Sequence, residues 1–176
     1  MGRLPSTWGD RMITMRIPYN MPGELILAAN KSAQFNTALF TNNIDMPLEL
    51  HRMIPRCTAL DDANNALANQ PDQDLLQSLA RLAVQDTGKA NGNMTKNPTL
   101  MNLLTKGSAE RTWEWADPYY LIRSEGFQVA VDTLPFFSWD GAQIPAAQPV
   151  KPFVSLRIEI EFQGFLCVVA PPSNTR

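Results

Sequence analysis

Along residues 154–162, Val154, Leu156, Ile158, Ile160 and Phe162 alternate with Ser155, Arg157, Glu159 and Glu161. A period of two sends one set to a core and the other to a polar face, which predicts a half-buried strand. Gly164 follows as a bend or bulge. The same alternation recurs at Phe127, Val129 and Val131, and at Arg111, Trp113 and Trp115. In residues 47–60, Leu48, Leu50, Arg52 and Ile54 oppose Glu49, His51 and Met53, and Pro55 marks an edge or a bulge. Residues 11–17 predict a first strand with Ile13, Met15 and Ile17 on one face. A turn is expected at residues 19–23, where Pro22 precedes Gly23, with further strands over 24–29 and 34–40.

Two segments read as helical. Pro71-Asp72 can open a short helix, and residues 75–84 fit either a helical stripe through Leu75, Leu76, Leu79 and Leu82 or a strand through Ala80, Leu82 and Val84; the favoured reading is a helical turn through Ser78 and then a strand ending at the turn Asp86-Thr87-Gly88. Asn97 as N-cap, Pro98 at the first helical position and Gly107 as a stop predict a short helix over 99–105. Asp117-Pro118 interrupts the strand carrying Trp113 and Trp115, and an extended pattern resumes over 119–122. Ser124-Glu125-Gly126 is a hairpin-like turn, and the prolines of residues 133–152 make that stretch a loop. Eight or nine short strands result. The expected fold is all-β: an antiparallel β-sandwich or jelly roll with one or two short helices. Residues 1–10 are an expected N-terminal arm, 11–170 the domain and 171–176 a C-terminal tail.

Composition narrows the classes of partner. A net charge of −2 over 176 residues provides no basic field for nucleic acid. No apolar run is long enough for a membrane helix, and the first residues lack the apolar core of a secretory signal. Only 18% of residues are charged, and arginines outnumber lysines, 10 to 5. Both features suit protein interfaces, whose cores are poor in charge and rich in arginine. Cys57 and Cys167 lie in apolar sequence, away from any metal-ligand spacing, and read as reduced, buried thiols.

Candidate chemistry is sparse. His51 is the single histidine, so a nucleophilic triad would have to use it, and a satisfied or surface strand histidine is the stronger reading. Asp61-Asp62 and Asp72/Asp74 lack the glycine and terminal glutamate of a calcium loop and read as caps and solvated turns. Phosphate-cradling, dinucleotide-binding and nucleophile-elbow motifs are all missing from the sequence. The expectation is a protein without enzymatic activity and without a cofactor or metal. Trp113, Trp115, Tyr119 and Tyr120 provide the alternative, a carbohydrate-binding jelly-roll module with stacking aromatics.

The run Pro47-Leu48-Glu49-Leu50-His51-Arg52-Met53, then Arg111-Thr112-Trp113-Glu114-Trp115, then residues 126–132 and 156–164, resembles small β-sandwich structural proteins of tailed-phage heads. The resemblance covers about residues 40–170. It lies in general character and not in a diagnostic motif, with Pro- and Asn-rich loops, low charge, a loose arm and a short tail. It implies a capsid decoration or cement protein in a virion assembled in the host cytoplasm. Its partners would be the major capsid protein or other virion proteins, and it would form a dimer or trimer. On this reading Trp8 in the arm, and Pro145 and Pro149 in the long loop, contact other chains.

Overall fold

The structure is a computed structural model that describes residues 12–28, 35–61, 63–87, 94–95, 97–105, 111–133 and 155–170. In chain order the strands are β1 (Ile13–Ala28), β2 (Phe35–Thr41), β3 (Leu48–Leu60), β4 (Ala80–Asp86), β5 (Thr99–Leu100), β6 (Trp113–Leu121), β7 (Gly126–Thr133) and β8 (Ser155–Val169). Helix α1 (Gln73–Ser78) precedes β4, and α2 (Met101–Leu104) follows β5. Antiparallel pairing joins β1 to β8, β2 to β7, β3 to β6 and β4 to β5. Those four pairs are one long hairpin. Rolling it up brings β3 beside β8 and β4 beside β7. The result is two four-stranded sheets, β1-β8-β3-β6 and β2-β7-β4-β5, which is the connectivity of a jelly roll.

The inward rows meet in one core. Leu156, Ile158, Ile160 and Phe162 of β8 are buried, as are Phe127, Val129 and Val131 of β7. The Phe162 ring stands edge-on to Phe40, with centroids 4.9 Å apart, and lies 5.1 Å from Phe127. Helix α1 ends at Ser78 and β4 starts at Ala80, the favoured of the two readings of residues 75–84. Asp72 caps α1 by accepting from the Asp74 amide.

Four sequence expectations are corrected. First, no turn breaks residues 19–23, and β1 is a single edge strand. The Ile26 carbonyl accepts from Asn36 Nδ2 of β2, so even-numbered residues direct their backbone polar groups away from β8. Pro18 and Pro22 belong to that set. Their missing N–H groups therefore cost the ladder nothing. Second, a bulge between Ile13 and Met15 puts Ile13 on the outer face with Cys167, opposite to Met15 and Ile17. Third, β6 runs through Asp117-Pro118. Tyr119 pairs with Leu50 and Glu114 with Arg52, so residues 115–118 stand opposite His51 alone. Fourth, Thr99 and Leu100 pair with Leu82 and Arg81 as β5, which shortens the expected helix to Met101–Leu104 and makes Leu100, not Asn97, its N-cap.

Beyond Met53, β3 has no paired strand on its β6 side among the described residues. Three glutamine side chains take that place. Gln70 bonds both the N–H and the C=O of Ala59, Gln73 does the same at Cys57, and Gln77 donates to the Pro55 carbonyl. Pro55 thus falls on the side of β3 where no strand needs its donor.

Candidate functional site

The outer face of the β1-β8-β3-β6 sheet carries the densest polar chemistry among the described residues. Its rows follow from register. Arg16 lies beside Cys167, Pro18 beside Phe165, and Asn20 beside Gln163, which in turn neighbours Arg52. Further along, Glu159 sits between Glu24 and Arg56, and Glu161 between Pro22 and Ile54. A register shift between Leu50 and Arg52 sets this face. It turns Met53 into the core and Arg52 outward, reversing the strict alternation expected for residues 48–54.

Glu49 is the hub. Its side chain is 3% exposed. Arg16 Nε donates to both carboxylate oxygens at 3.1 and 3.0 Å, and its Nη2 lies 2.9 Å from Oε2. His51 Nε2 stands 2.8 Å from Oε1, and because a carboxylate only accepts, that nitrogen carries the hydrogen. Tyr120 Oη donates to Oε2 at 3.2 Å, and Cys167 Sγ lies 3.6 Å from it. The His51 ring meets Phe165 edge-on at 5.5 Å. His51 is therefore a satisfied strand histidine, as its isolation in the sequence predicts.

Burial by itself would raise the Glu49 pKa, but the bonds from Arg16, His51 and Tyr120 outweigh it and hold the group below the ordinary carboxylate value. Burial, with the neighbouring Glu49 charge, pushes the Cys167 thiol up to about 12. Burial does the same to Cys57. Both cysteines are free and buried, and neither is primed as a nucleophile.

The depressed Glu49 pKa has a measurable consequence. The folded state binds the proton less readily than the unfolded chain, so the stabilisation is present above the unfolded value of about 4.5 and disappears as pH falls through the folded value. Because Arg16 remains 33% exposed, the pair contributes less than an enclosed one, and Glu49→Gln is expected to cost about 2 kcal/mol at neutral pH. Urea unfolding at pH 7 and pH 3 checks this. The two proteins should differ at pH 7 and converge at pH 3, and a constant difference would refute the linkage.

Two shallow depressions open on the same face. One, of about 400 Å³, is lined by Pro22, Glu24, Ile54, Arg56, Glu159 and Glu161. The other, of about 350 Å³, is lined by Pro18, Asn20, His51, Arg52, Gln163 and Phe165. Arg157 approaches Glu24 at 3.5 Å, and Arg52 Nε donates to Gln163 Oε1 at 2.7 Å. A broad, shallow face of interleaved arginine and glutamate, held on strands, can engage another polar protein surface through paired charges.

The remaining sequence candidates separate. Trp8, Pro145 and Pro149 lie outside the described residues. Trp113, Trp115 and Tyr119 pack against the core, where Trp115 stacks on Phe162 at 6.1 Å and Tyr119 donates to Asp86 of the other sheet. Tyr120 alone of the four faces outward. The aromatics proposed for sugar stacking thus point to opposite sides of β6. Among the described residues no group of three or more His, Cys, Asp or Glu side chains could hold a metal ion. Asp61 accepts from the Ala63 and Asn65 amides, the turn role read for it. Sequence reasoning missed Glu49 as the hub, because its partners Arg16, Tyr120 and Cys167 come from three other strands. Compared with family models, with curated proteins and with solved structures, the chain finds no match.

Proposed function

We propose that this chain is a non-enzymatic structural protein of a virus particle, a decoration or cement protein that binds and stabilises the capsid shell. The outer face of the β1-β8-β3-β6 sheet supports the reading. Arg16, Arg52, Arg56 and Arg157 are interleaved there with Glu24, Glu49, Glu159 and Glu161 on rigid strands. Such a surface suits a partner with a complementary charge pattern, and its two depressions give that partner's side chains seats. The jelly roll is a recurrent architecture of viral capsid domains and also of lectins, so the fold is compatible with the reading without deciding it. The partner is the major capsid protein or another virion protein, the assembly is a homo-oligomer, and the location is the virion, built in the host cytoplasm. Trp8, Pro145 and Pro149 remain assigned to contacts with neighbouring chains.

The test is co-sedimentation with empty shells assembled from the shell-forming protein encoded with this chain. Reversing two charges in Arg52→Glu/Arg56→Glu is expected to weaken shell binding by about tenfold or more, since rim charges set orientation and enclosed ones set lifetime. Circular dichroism should show an unchanged fold. A wild-type chain that stays in the supernatant at micromolar concentration overturns the reading, as does undiminished binding by the double variant. Binding to immobilised glycans in place of shells would favour the carbohydrate alternative.

A further inference from the structure

We infer that the outer face of the β1-β8-β3-β6 sheet pairs with the same face of a second copy of this chain, about a two-fold axis lying between β3 and β8. The two strands supply the matching charges. Across them Arg56 stands opposite Glu159, Ile54 opposite Glu161, Arg52 opposite Gln163 and Thr58 opposite Arg157. Arg56 and Glu159 are exposed, and neither closes an ion pair among the described residues. Neighbouring charges are engaged within the chain. Arg157 approaches Glu24 at 3.5 Å, Arg16 is held by Glu49 at 2.9 Å, and Glu161 accepts from Gln163 Nε2 at 2.8 Å.

Symmetry makes this surface complementary to itself. An axis parallel to β3 and β8 and midway between them lays each residue of β3 over the copy of its own cross-strand neighbour. Arg56 therefore meets Glu159 of the second copy, and Glu159 meets Arg56 of the second copy. The four groups form a ring of alternating charge, with like charges on its diagonals. Arg52 is one row, about 7 Å, from Glu161 of the second copy, within the reach of an arginine side chain. The depression that Glu24, Glu159 and Glu161 line gives the incoming guanidinium room. Arg157 comes over Thr58, and Glu49 over Phe165, so among the described residues no arginine lands on an arginine and no glutamate on a glutamate. Area agrees. Three strands about 4.8 Å apart, over about ten residues, present about 500 Å², and two such faces bury about 1,000 Å², the threshold for a specific interface. A net charge of −2 opposes the association little. The capsid reading sets a shell against this face; the inference goes beyond it and concerns the free chain.

Sedimentation equilibrium of the full chain, with no shell present, tests this. A dimer is expected at high micromolar concentration. Arg56→Glu and Glu159→Arg are each expected to weaken it about tenfold or more, because each sets like charges against one another. Arg56→Glu/Glu159→Arg restores the alternation and is expected to dimerise as the wild type does. So is an equal mixture of the two single variants, in which position 56 of either chain meets the opposite charge at position 159 of the other. Both side chains are exposed, and circular dichroism verifies that each variant is folded. A wild type that stays monomeric to high micromolar concentration overturns the inference. So do single variants that dimerise unchanged, and a double variant or a mixture that stays monomeric. The capsid reading fails separately: a monomer that still co-sediments with shells leaves it standing, and a dimer that ignores shells removes it alone.

Discussion

Replacing Gly164 by alanine is expected to destabilise the fold by about 3 kcal/mol or more, because the added carbon has nowhere to go. Gly164 sits in β8 opposite Leu50 of β3. A Cβ there would lie 1.9 Å from the Glu49 carbonyl oxygen and 2.8 Å from the Leu50 Cα. Both are backbone atoms of an adjacent strand, so relief requires β3 and β8 to move apart in the middle of the sheet. Gly23→Ala is the informative contrast. Its Cβ would meet the Phe40 ring at 2.4 Å, and a side chain can shift where a paired backbone cannot, so a cost of about 1–2 kcal/mol is expected. For a chain of this size the first change lowers Tm by about 6–12 °C and the second by about 2–8 °C. Equal melting temperatures for Gly164→Ala and the wild type would refute the close-approach argument. The site responds as well. The close approach sets where the Glu49 carboxylate stands relative to Arg16 and Cys167, so Gly164→Ala should also flatten the loss of stability at acid pH.

That glycine shows where sequence reasoning stops. The strand through Phe162 was legible because regular pleating converts a period of two directly into burial. Leu156, Ile158, Ile160 and Phe162 are all in the core. The boundary between α1 and β4 was only partly legible, since the leucines from Leu75 to Leu82 fit a helical stripe while Ala80, Leu82 and Val84 fit the strand that forms. The bulges leave no such trace: Gly164 has the chemistry of a bend or bulge, yet β8 pairs through it without a shift and the extra residue is His51 on the facing strand. A bulge adds one residue to one strand and exchanges the faces of everything beyond it. At His51 this sent Met53 inward and Arg52 outward, and at Thr14 it separated Ile13 from Met15. The prolines of β1 misled for a different reason. Pro22-Gly23 has turn chemistry, yet an open edge tolerates proline at every second position, and edge status depends on topology that no local window contains. Glu49 belongs to the same class. Its chemistry exists only after β1, β3, β6 and β8 are aligned.

The glutamines beside β3 carry the second large effect. Gln73→Ala is expected to cost about 2 kcal/mol, Gln77→Ala about 2–3 kcal/mol, and the double variant about 4 kcal/mol. Gln73 Oε1 accepts from the Cys57 amide at 3.0 Å and its Nε2 donates to the Cys57 carbonyl at 2.6 Å. A primary amide thereby reproduces the paired donor and acceptor of a neighbouring strand. Gln77 serves a position that differs by one atom. Pro55 offers only a carbonyl, which takes the Gln77 Nε2 at 2.9 Å, and the Gln77 oxygen is left to accept from Thr105 Oγ1 at 3.0 Å. Gln77 is 1% exposed, so truncation strands the Pro55 carbonyl away from water and leaves Thr105 Oγ1 with the Met101 carbonyl alone at 3.2 Å, whereas water can partly reach the groups freed at Gln73. Gln73 and Gln77 are four residues apart on α1, on one helical face, and loss of either loosens the helix against β3. Gln77→Glu separates hydrogen bonding from packing. It keeps the size but presents a carboxylate to the Pro55 carbonyl, and it should destabilise at least as much as alanine at neutral pH and recover in acid as the group takes up a proton. Hydrogen exchange of the Cys57 and Ala59 amides gives the local readout. Gln73→Ala should accelerate exchange at Cys57 more than at Ala59, whose amide is held by Gln70. Uniform acceleration along β3 would show instead that the helix acts as a single cover rather than as a set of amide pairs.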